Sequence, residues 1–399
     1  MVAVRILYLA DIRLPLERAN GIQSMETCHA LATRGHEVTL LVRPDTHAPR
    51  RDPLAFYHLP PLDTLHIARV PVRGPAKARR LQYLLASVGG SWLRSRRFDA
   101  VLTRDLGVAS LVSRLPRSTR PALVYESHGY APIVTGQLPE LLTDAPRASQ
   151  AKARRLTARE RRVWWTADGY VTITAALATE LALRIGARTR PLSVVPDGAR
   201  LDADRTFDWR PPGGPPLAVY AGHLYPWKGV DTFLEALALT PSIHARIVGG
   251  HPAERDLPRL RALADRLALR DRVTFTGLVS RAEVRPHLQA ADMLILPNRA
   301  TMISSAYTSP LKLFEYMAAG RPIVASDLPA IREVLRDEKN ALLVPADDAR
   351  ALAAGMMRIA DDPAMGERLA RRAFTDVAAF GWHTRAERLE QVLEAAIRA

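Results

Sequence analysis

One stretch limits the fold more than any other: Ser309-Pro-Leu-Lys-Leu-Phe-Glu-Tyr-Met-Ala-Ala-Gly-Arg-Pro-Ile-Val-Ala-Ser326. Pro310 suits the first turn of a helix, where its missing N–H would have no partner anyway, and Ser309 before it is a good N-cap. Leu311, Phe314, Met317 and Ala318 then share one helical face, so the helix can lie on a sheet. Gly320 ends it, and Pro322-Ile-Val-Ala reads as a short buried strand. A helix packed on a sheet and followed at once by a buried strand is the unit of an α/β layer. Lys312 and Glu315, three residues apart, lie close together near the helix start. Free N–H groups at a helix start beside a lysine make an anion site, and a glutamate one turn on can accept hydrogen bonds from ribose hydroxyls. Together they suit a nucleoside diphosphate. A plain helix–turn–strand unit with a surface Lys–Glu pair is the alternative.

The same alternation runs along the chain. Apolar runs at Val4–Ala10, His36–Val42, Leu65–Val72, Ala100–Thr103, Ala122–Tyr125, Gly169–Thr174 and Leu192–Val195 read as buried parallel strands separated by helices. Pro211-Pro-Gly-Gly-Pro-Pro216 is the clearest linker, and a second series opens at Leu217 with strands at Ile243–Val248, Val273–Thr276 and Met293–Leu296. With 399 residues, two doubly wound, Rossmann-like domains are expected. No G-x-G-x-x-G follows the first strand, so a dinucleotide fingerprint is absent.

Ligands of open α/β sheets bind beyond the carboxyl ends of the strands, which singles out a few loops. The strand from Leu217 runs into Gly222-His223-Leu-Tyr-Pro-Trp-Lys228-Gly229. Gly222 permits close backbone approach, and Lys228, read as opening the next helix, is a second positive group. The alternative is a strand–turn–helix with a chance lysine. Glu126-Ser-His128-Gly129 closes the strand from Ala122 and makes His128 a site candidate, or else a capping histidine in a loop. Asn20-Gly21 stands before a helix that runs to Arg34.

These motifs resemble those of the retaining glycosyltransferases of family 4, the group 1 glycosyltransferases with the GT-B fold. The resemblance covers nearly the whole chain and is more specific in its second half. It implies two Rossmann-like domains, 1–197 and 198–381, with a cleft between them and a last helix, 382–399, returning to the first. It implies that Glu315 holds the donor ribose, that backbone amides around Ser309, Leu311 and Lys312 hold the phosphates, and that Gly277 meets the nucleobase. Gly222-His223-Leu-x-x-x-Lys228-Gly229 matches a family motif whose arginine and lysine bind the diphosphate; here His223 replaces the arginine. Tyr307 occupies the position of a second family glutamate that contacts the transferred sugar. Gly21 is similar to a short glycine loop that approaches the donor phosphate, though a helix-entry turn reads as well. His128 matches a histidine beside the transferred sugar. The implied reaction moves a sugar from a nucleoside-diphosphate sugar, on UDP, GDP or another base, to an acceptor hydroxyl with retention. The leaving phosphate accepts the acceptor's proton, and Lys228, His128 and Glu315 are the catalytic set. No cofactor and no metal are expected.

Composition narrows the remaining classes. Cys28 is the only cysteine, so a disulfide or cysteine-based metal site within the chain is excluded. The start of the sequence runs straight into a strand pattern, so no signal peptide is expected and a cytoplasmic place is. The net charge of +15 suits phosphorylated ligands, anionic membranes or nucleic acid, or reflects an arginine-rich codon usage. Aromatic residues, at 6%, give no stacking platform for nucleic acid. Ala76–Phe98 reads as a helix whose stripe Leu81, Leu84, Leu85, Val88 and Trp92 is flanked by Arg79, Arg80, Arg94, Arg96 and Arg97. It either packs on its own sheet or makes peripheral contact with an anionic membrane, which would favour a lipid-linked acceptor over a saccharide or small molecule. Asp202-Ala-Asp204 matches a short metal motif but has no strand leading into it. A nucleotide-sugar epimerase and an inactive nucleotide-sugar-binding protein are the competing functions.

Overall fold

Thirteen strands form two separate sheets in the computed structural model, which describes residues 3–89, 97–141, 148–250 and 256–399. The first sheet contains β1 (Arg5–Arg13), β2 (Glu37–Arg43), β3 (Leu65–Arg69), β4 (Ala100–Thr103), β5 (Ala122–Ser127), β6 (Gly169–Thr172) and β7 (Leu192–Val194). Their order is β3-β2-β1-β4-β5-β6-β7, and every pair is parallel. The second contains β8 (Leu217–Ala221), β9 (His244–Val248), β10 (Val273–Gly277), β11 (Met293–Leu296), β12 (Ile323–Ser326) and β13 (Leu342–Val344). It is also all parallel, in the order β10-β9-β8-β11-β12-β13. In both sheets the winding direction reverses beside the first strand, at β1/β4 and at β8/β11. The strand ends at that reversal open a crevice in doubly wound folds.

Strand side chains alternate between faces, and here both faces are covered. Ala218 and Tyr220 of β8 enter one core with Phe233, Ile247 and Ile295, while Val219 and Ala221 enter the other with Leu294, Phe314 and Ile323. The strands are therefore continuous apolar runs, as in Ile6, Leu7, Tyr8 and Leu9, all fully buried.

The chain divides into two units. One is built from Met1–Thr135, Ala148–Asp197 and Trp382–Ala399, the other from Gly198–Gly381 with Gly136–Arg147. The Trp382–Arg398 helix belongs to the first, burying Leu389, Val392 and Leu393. Arg34 donates to Glu390 at 2.7 Å and to Glu387 at 3.0 Å, fastening this helix to the end of Ala19–Thr33. Among the described residues no helix is long and apolar enough to cross a membrane.

Several local expectations are corrected. The helix after Pro310 spans Leu311–Ala318, and its N-cap is Pro310 in an extended conformation, not Ser309. Its buried face is Leu313, Phe314, Tyr316 and Met317, leaving Leu311 and Ala318 at the margin. The cause is Tyr316, whose hydroxyl accepts from the Ala221 amide at 2.7 Å and sets the helix rotation against the end of β8. The helix expected over Ala76–Phe98 is described as Ala76–Gly89; Trp92, Arg94 and Arg96 lie outside the described residues. Within it Tyr83 and Ser87 are buried, while Leu81 and Leu85 are 57% and 62% exposed.

Candidate functional site

In the second unit, three glycines sit at the ends of three adjacent strands. Gly222, Gly249 and Gly277 follow or end β8, β9 and β10, with φ of +138°, +125° and +73° that disfavour any side chain. They are laced together: Gly222 N donates to Val248 O at 2.8 Å, and Gly249 N to Gly277 O at 3.0 Å. A Cβ on Gly249 would stand 2.1 Å from the Gly222 carbonyl, so the turns can approach only as glycines.

Lys312 reaches this edge from the Leu311–Ala318 helix. Its Nζ would lie 2.8 Å from a Cβ on Gly222 and rests 3.7 Å from the centroid of the Tyr220 ring. That cation–π contact aims the ammonium along the strand end. Tyr220 in turn donates to the His223 carbonyl at 2.5 Å. The start of the Leu311–Ala318 helix, where the Leu313 amide donates to Pro310 O at 2.9 Å, brings the positive end of the helix dipole beside that ammonium. Glu315 is half-buried one turn in. Tyr307 and Ser309, both buried, precede the helix.

Lys228 does not open a helix. It ends a single 3₁₀ turn, Pro226–Lys228, and Gly229 (φ +69°) separates it from the Val230–Ala238 helix. This turn is pressed onto the end of β11: Arg299 N donates to Trp227 O at 3.0 Å, and a Cβ on Gly229 would meet the Pro297 carbonyl at 1.7 Å. Lys228 therefore stands at the β8/β11 reversal, half-buried, with no carboxylate partner among the described residues. Burial lowers its ammonium to about 8. Beside it Asn298 is fully buried, and both atoms of its amide lack a partner among the described residues. His223 stacks on Tyr225 at 5.1 Å, and Tyr225 on Trp227 at 4.5 Å, which stiffens the loop between Gly222 and Lys228.

In the first unit, Gly21 lies within the first turn of the Ala19–Thr33 helix and forms no loop. A Cβ there would meet the Leu16 carbonyl at 2.6 Å and the Tyr57 hydroxyl at 2.7 Å, so close packing is what demands glycine. Two residues on, Gln23 donates to Glu126 at 2.7 Å. Glu126, at the end of β5, also bonds His128 Nε2 at 2.6 Å and accepts from Arg385 at 2.6 Å. Burial opposes its ionisation, but Arg385 and His128 outweigh that and hold the carboxyl at about 2. Burial, helped by Arg104, lowers the His128 imidazole, which favours its neutral form.

The chain thus brings Gly222, His223, Gly277, Lys312 and Lys228 to one edge of the second sheet, and attaches His128 to a buried network in the first unit. Sequence reading missed Gln23, Arg104, Asn298, Tyr220 and Arg385, and took Glu126 only as a strand end. The one available signal was the pair Glu126 and His128, two apart at a strand's carboxyl end. Asp202 of the short acidic motif pairs with Arg285, and among the described residues no cluster of metal-ligand side chains occurs.

Such a pair of units has known counterparts. Residues 21–198 match the family model described as glycosyl transferase 4-like domain, and residues 215–362 match glycosyl transferases group 1. The chain is 28% identical over 296 residues to the D-inositol 3-phosphate glycosyltransferase of Streptomyces avermitilis, covering 69% of this chain and 61% of that protein. The matched stretch thus spans less than two thirds of that relative. Among solved structures, sucrose-phosphate synthase of Thermosynechococcus elongatus superposes with a TM-score of 0.74 at 20% identity, covering 98% of each chain. An Anabaena protein, HepE, solved in complex with UDP-glucose, gives 0.70 at 18% identity over 98% of this chain and 99% of that one.

Proposed function

From the premise that this chain belongs to the group 1 glycosyltransferases and carries their GT-B fold of two Rossmann-like domains, we propose that it transfers a sugar from a nucleoside-diphosphate sugar to an acceptor hydroxyl, with retention. The observation that carries the reading is that the glycine turn at Gly222 stands beside the Lys312 ammonium, while the half-buried Lys228 lies at the β8/β11 reversal. Two ammonium groups and a helix start suit a diphosphate, and their charge acts most strongly as negative charge grows on the leaving group. Gly277 would face the base and Glu315 the ribose, while His128 would hold the sugar and not act as base. With two protein cations in place, the reaction is proposed to need no metal ion.

The relative in Streptomyces acts on an inositol phosphate by its name, and the Anabaena structure holds UDP-glucose. These support UDP as the base and a small polar acceptor. The exposed Leu81 and Leu85 support a second acceptor class: a lipid-linked one, reached by peripheral contact with an anionic membrane. Arg80 adds little to that contact, because it is paired with Asp11 and Asp105. Co-sedimentation with anionic but not neutral liposomes at low salt would favour the lipid class, and indifference to both would favour the soluble one.

The test of the main reading is incubation with a panel of nucleotide sugars. Slow release of nucleoside diphosphate without acceptor is expected. A new sugar nucleotide would mean an epimerase, a shifted melting temperature with no turnover would mean a binding protein, and no response to any donor would overturn the reading.

A further inference from the structure

We propose that Glu126 is the positioning residue of His128: held by Gln23 and Arg385, it keeps the imidazole proton on Nε2 and leaves Nδ1 as an acceptor, so the ligand group His128 meets is a hydroxyl. The network is complete enough to fix every donor and acceptor. Arg104 donates through Nη1 to Gln23 Oε1 at 2.7 Å, and a guanidinium can only donate. The Gln23 oxygen therefore faces Arg104, and its NH₂ faces Glu126 Oε1 at 2.7 Å. Arg385 donates to Glu126 Oε2 at 2.6 Å, and to the carbonyls of Val195 and Pro196 at 2.9 and 3.1 Å. Everything around the carboxylate donates, and the carboxylate accepts.

His128 Nε2 lies 2.6 Å from the same Oε1. With the proton on Nδ1, its lone pair would point at a carboxylate oxygen, so Nε2 must carry the proton. Glu126 is 0% exposed and Gln23 and Arg385 nearly so, which leaves the carboxylate no solvent to turn toward. The charged groups facing the imidazole are Glu126, Arg104 and Asp197, with Arg385 behind Glu126. Burial and Arg104 lower the imidazole against the pull of the two carboxylates, which favours the neutral ring. A neutral ring with a proton on Nε2 has a bare lone pair on Nδ1. That atom accepts from a hydroxyl and repels phosphate, carboxylate and ether oxygens. The inference rests on the sugar-transfer reading only in making that hydroxyl one of the sugar's.

The test is the nitrogen-15 spectrum of the full-length protein labelled at histidine, recorded without ligand, with His128→Asn identifying the His128 signals. The expected spectrum shows a protonated Nε2 and an unprotonated Nδ1 at pH 8, where the imidazole is neutral. In Glu126→Gln the amide cannot accept from all three donors, and His128 should shift to the other tautomer or to an average of both. A wild-type proton on Nδ1, or an unchanged tautomer in Glu126→Gln, overturns the proposal. If the variant fails to fold, the wild-type spectrum alone still decides. A chain with the expected tautomer that releases no diphosphate from any nucleotide sugar supports this proposal and contradicts the transfer reading.

Discussion

Lys228 is held half-buried by the turn around it, and burial brings its ammonium to about 8. Below that pH it is charged and can hold a diphosphate; above it the charge is lost. Donor kcat/KM should therefore fall as pH rises through about 8, and Lys228→Arg, which stays charged, should flatten that limb. Glu315 makes a separate claim. If it binds ribose hydroxyls, Glu315→Ala should weaken donor use by about 2–3 kcal/mol, measured as kcat/KM, and an unchanged value would remove it from the site. Both residues stood out in the sequence because the motifs that single them out are local. Glu126, Gln23 and Arg385 were not: Gln23 and Glu126 are 103 residues apart, and Glu126 and Arg385 are 259 apart, so only the folded sheet joins them. Asn298 gave no signal either, because an asparagine after a strand reads as a turn residue.

The elements were most legible where burial is symmetrical. Parallel strands covered on both faces need apolar residues at every position, so β4 and β11 match their apolar runs residue for residue. Helix faces were less legible, since one anchored side chain resets them. Tyr316 does this for Leu311–Ala318, and in Ala76–Gly89 the Tyr83 hydroxyl, donating to Leu41 O at 2.7 Å, turns Leu81 and Leu85 outward. The Gln150–Thr166 helix carries a further consequence. Its Glu160 is buried, accepts from the Ala131 amide at 2.9 Å, and has a second oxygen without a partner among the described residues. Burial raises its carboxyl to about 7. A carboxyl raised on folding favours the folded state when protonated, so that stability is complete below the unfolded value and is lost as pH rises toward and through 7. Glu160→Gln keeps the acceptor for Ala131 and removes the charge. It should raise the melting temperature at pH 8, by on the order of 3 kcal/mol in stability, and change little near pH 4. Equal melting of the two proteins at pH 8 would show that Glu160 is not a buried charge.

At the scale of the whole molecule, the repeated strand order makes both units ligand folds with their reversals at β1/β4 and β8/β11. Sequence periodicity made the two sheets legible; the proposed function depends on what stands at the second reversal. The claim is that cations there stabilise a departing diphosphate. The most direct measurement is nucleoside-diphosphate release at saturating nucleotide sugar, in EDTA, by the wild type and by Lys228→Ala. The wild type should stay active, and the variant should lose kcat by about 10²-fold or more, beyond any rise in KM. A wild type that stops in EDTA and recovers with Mg²⁺, or a variant altered only in KM, would contradict the claim.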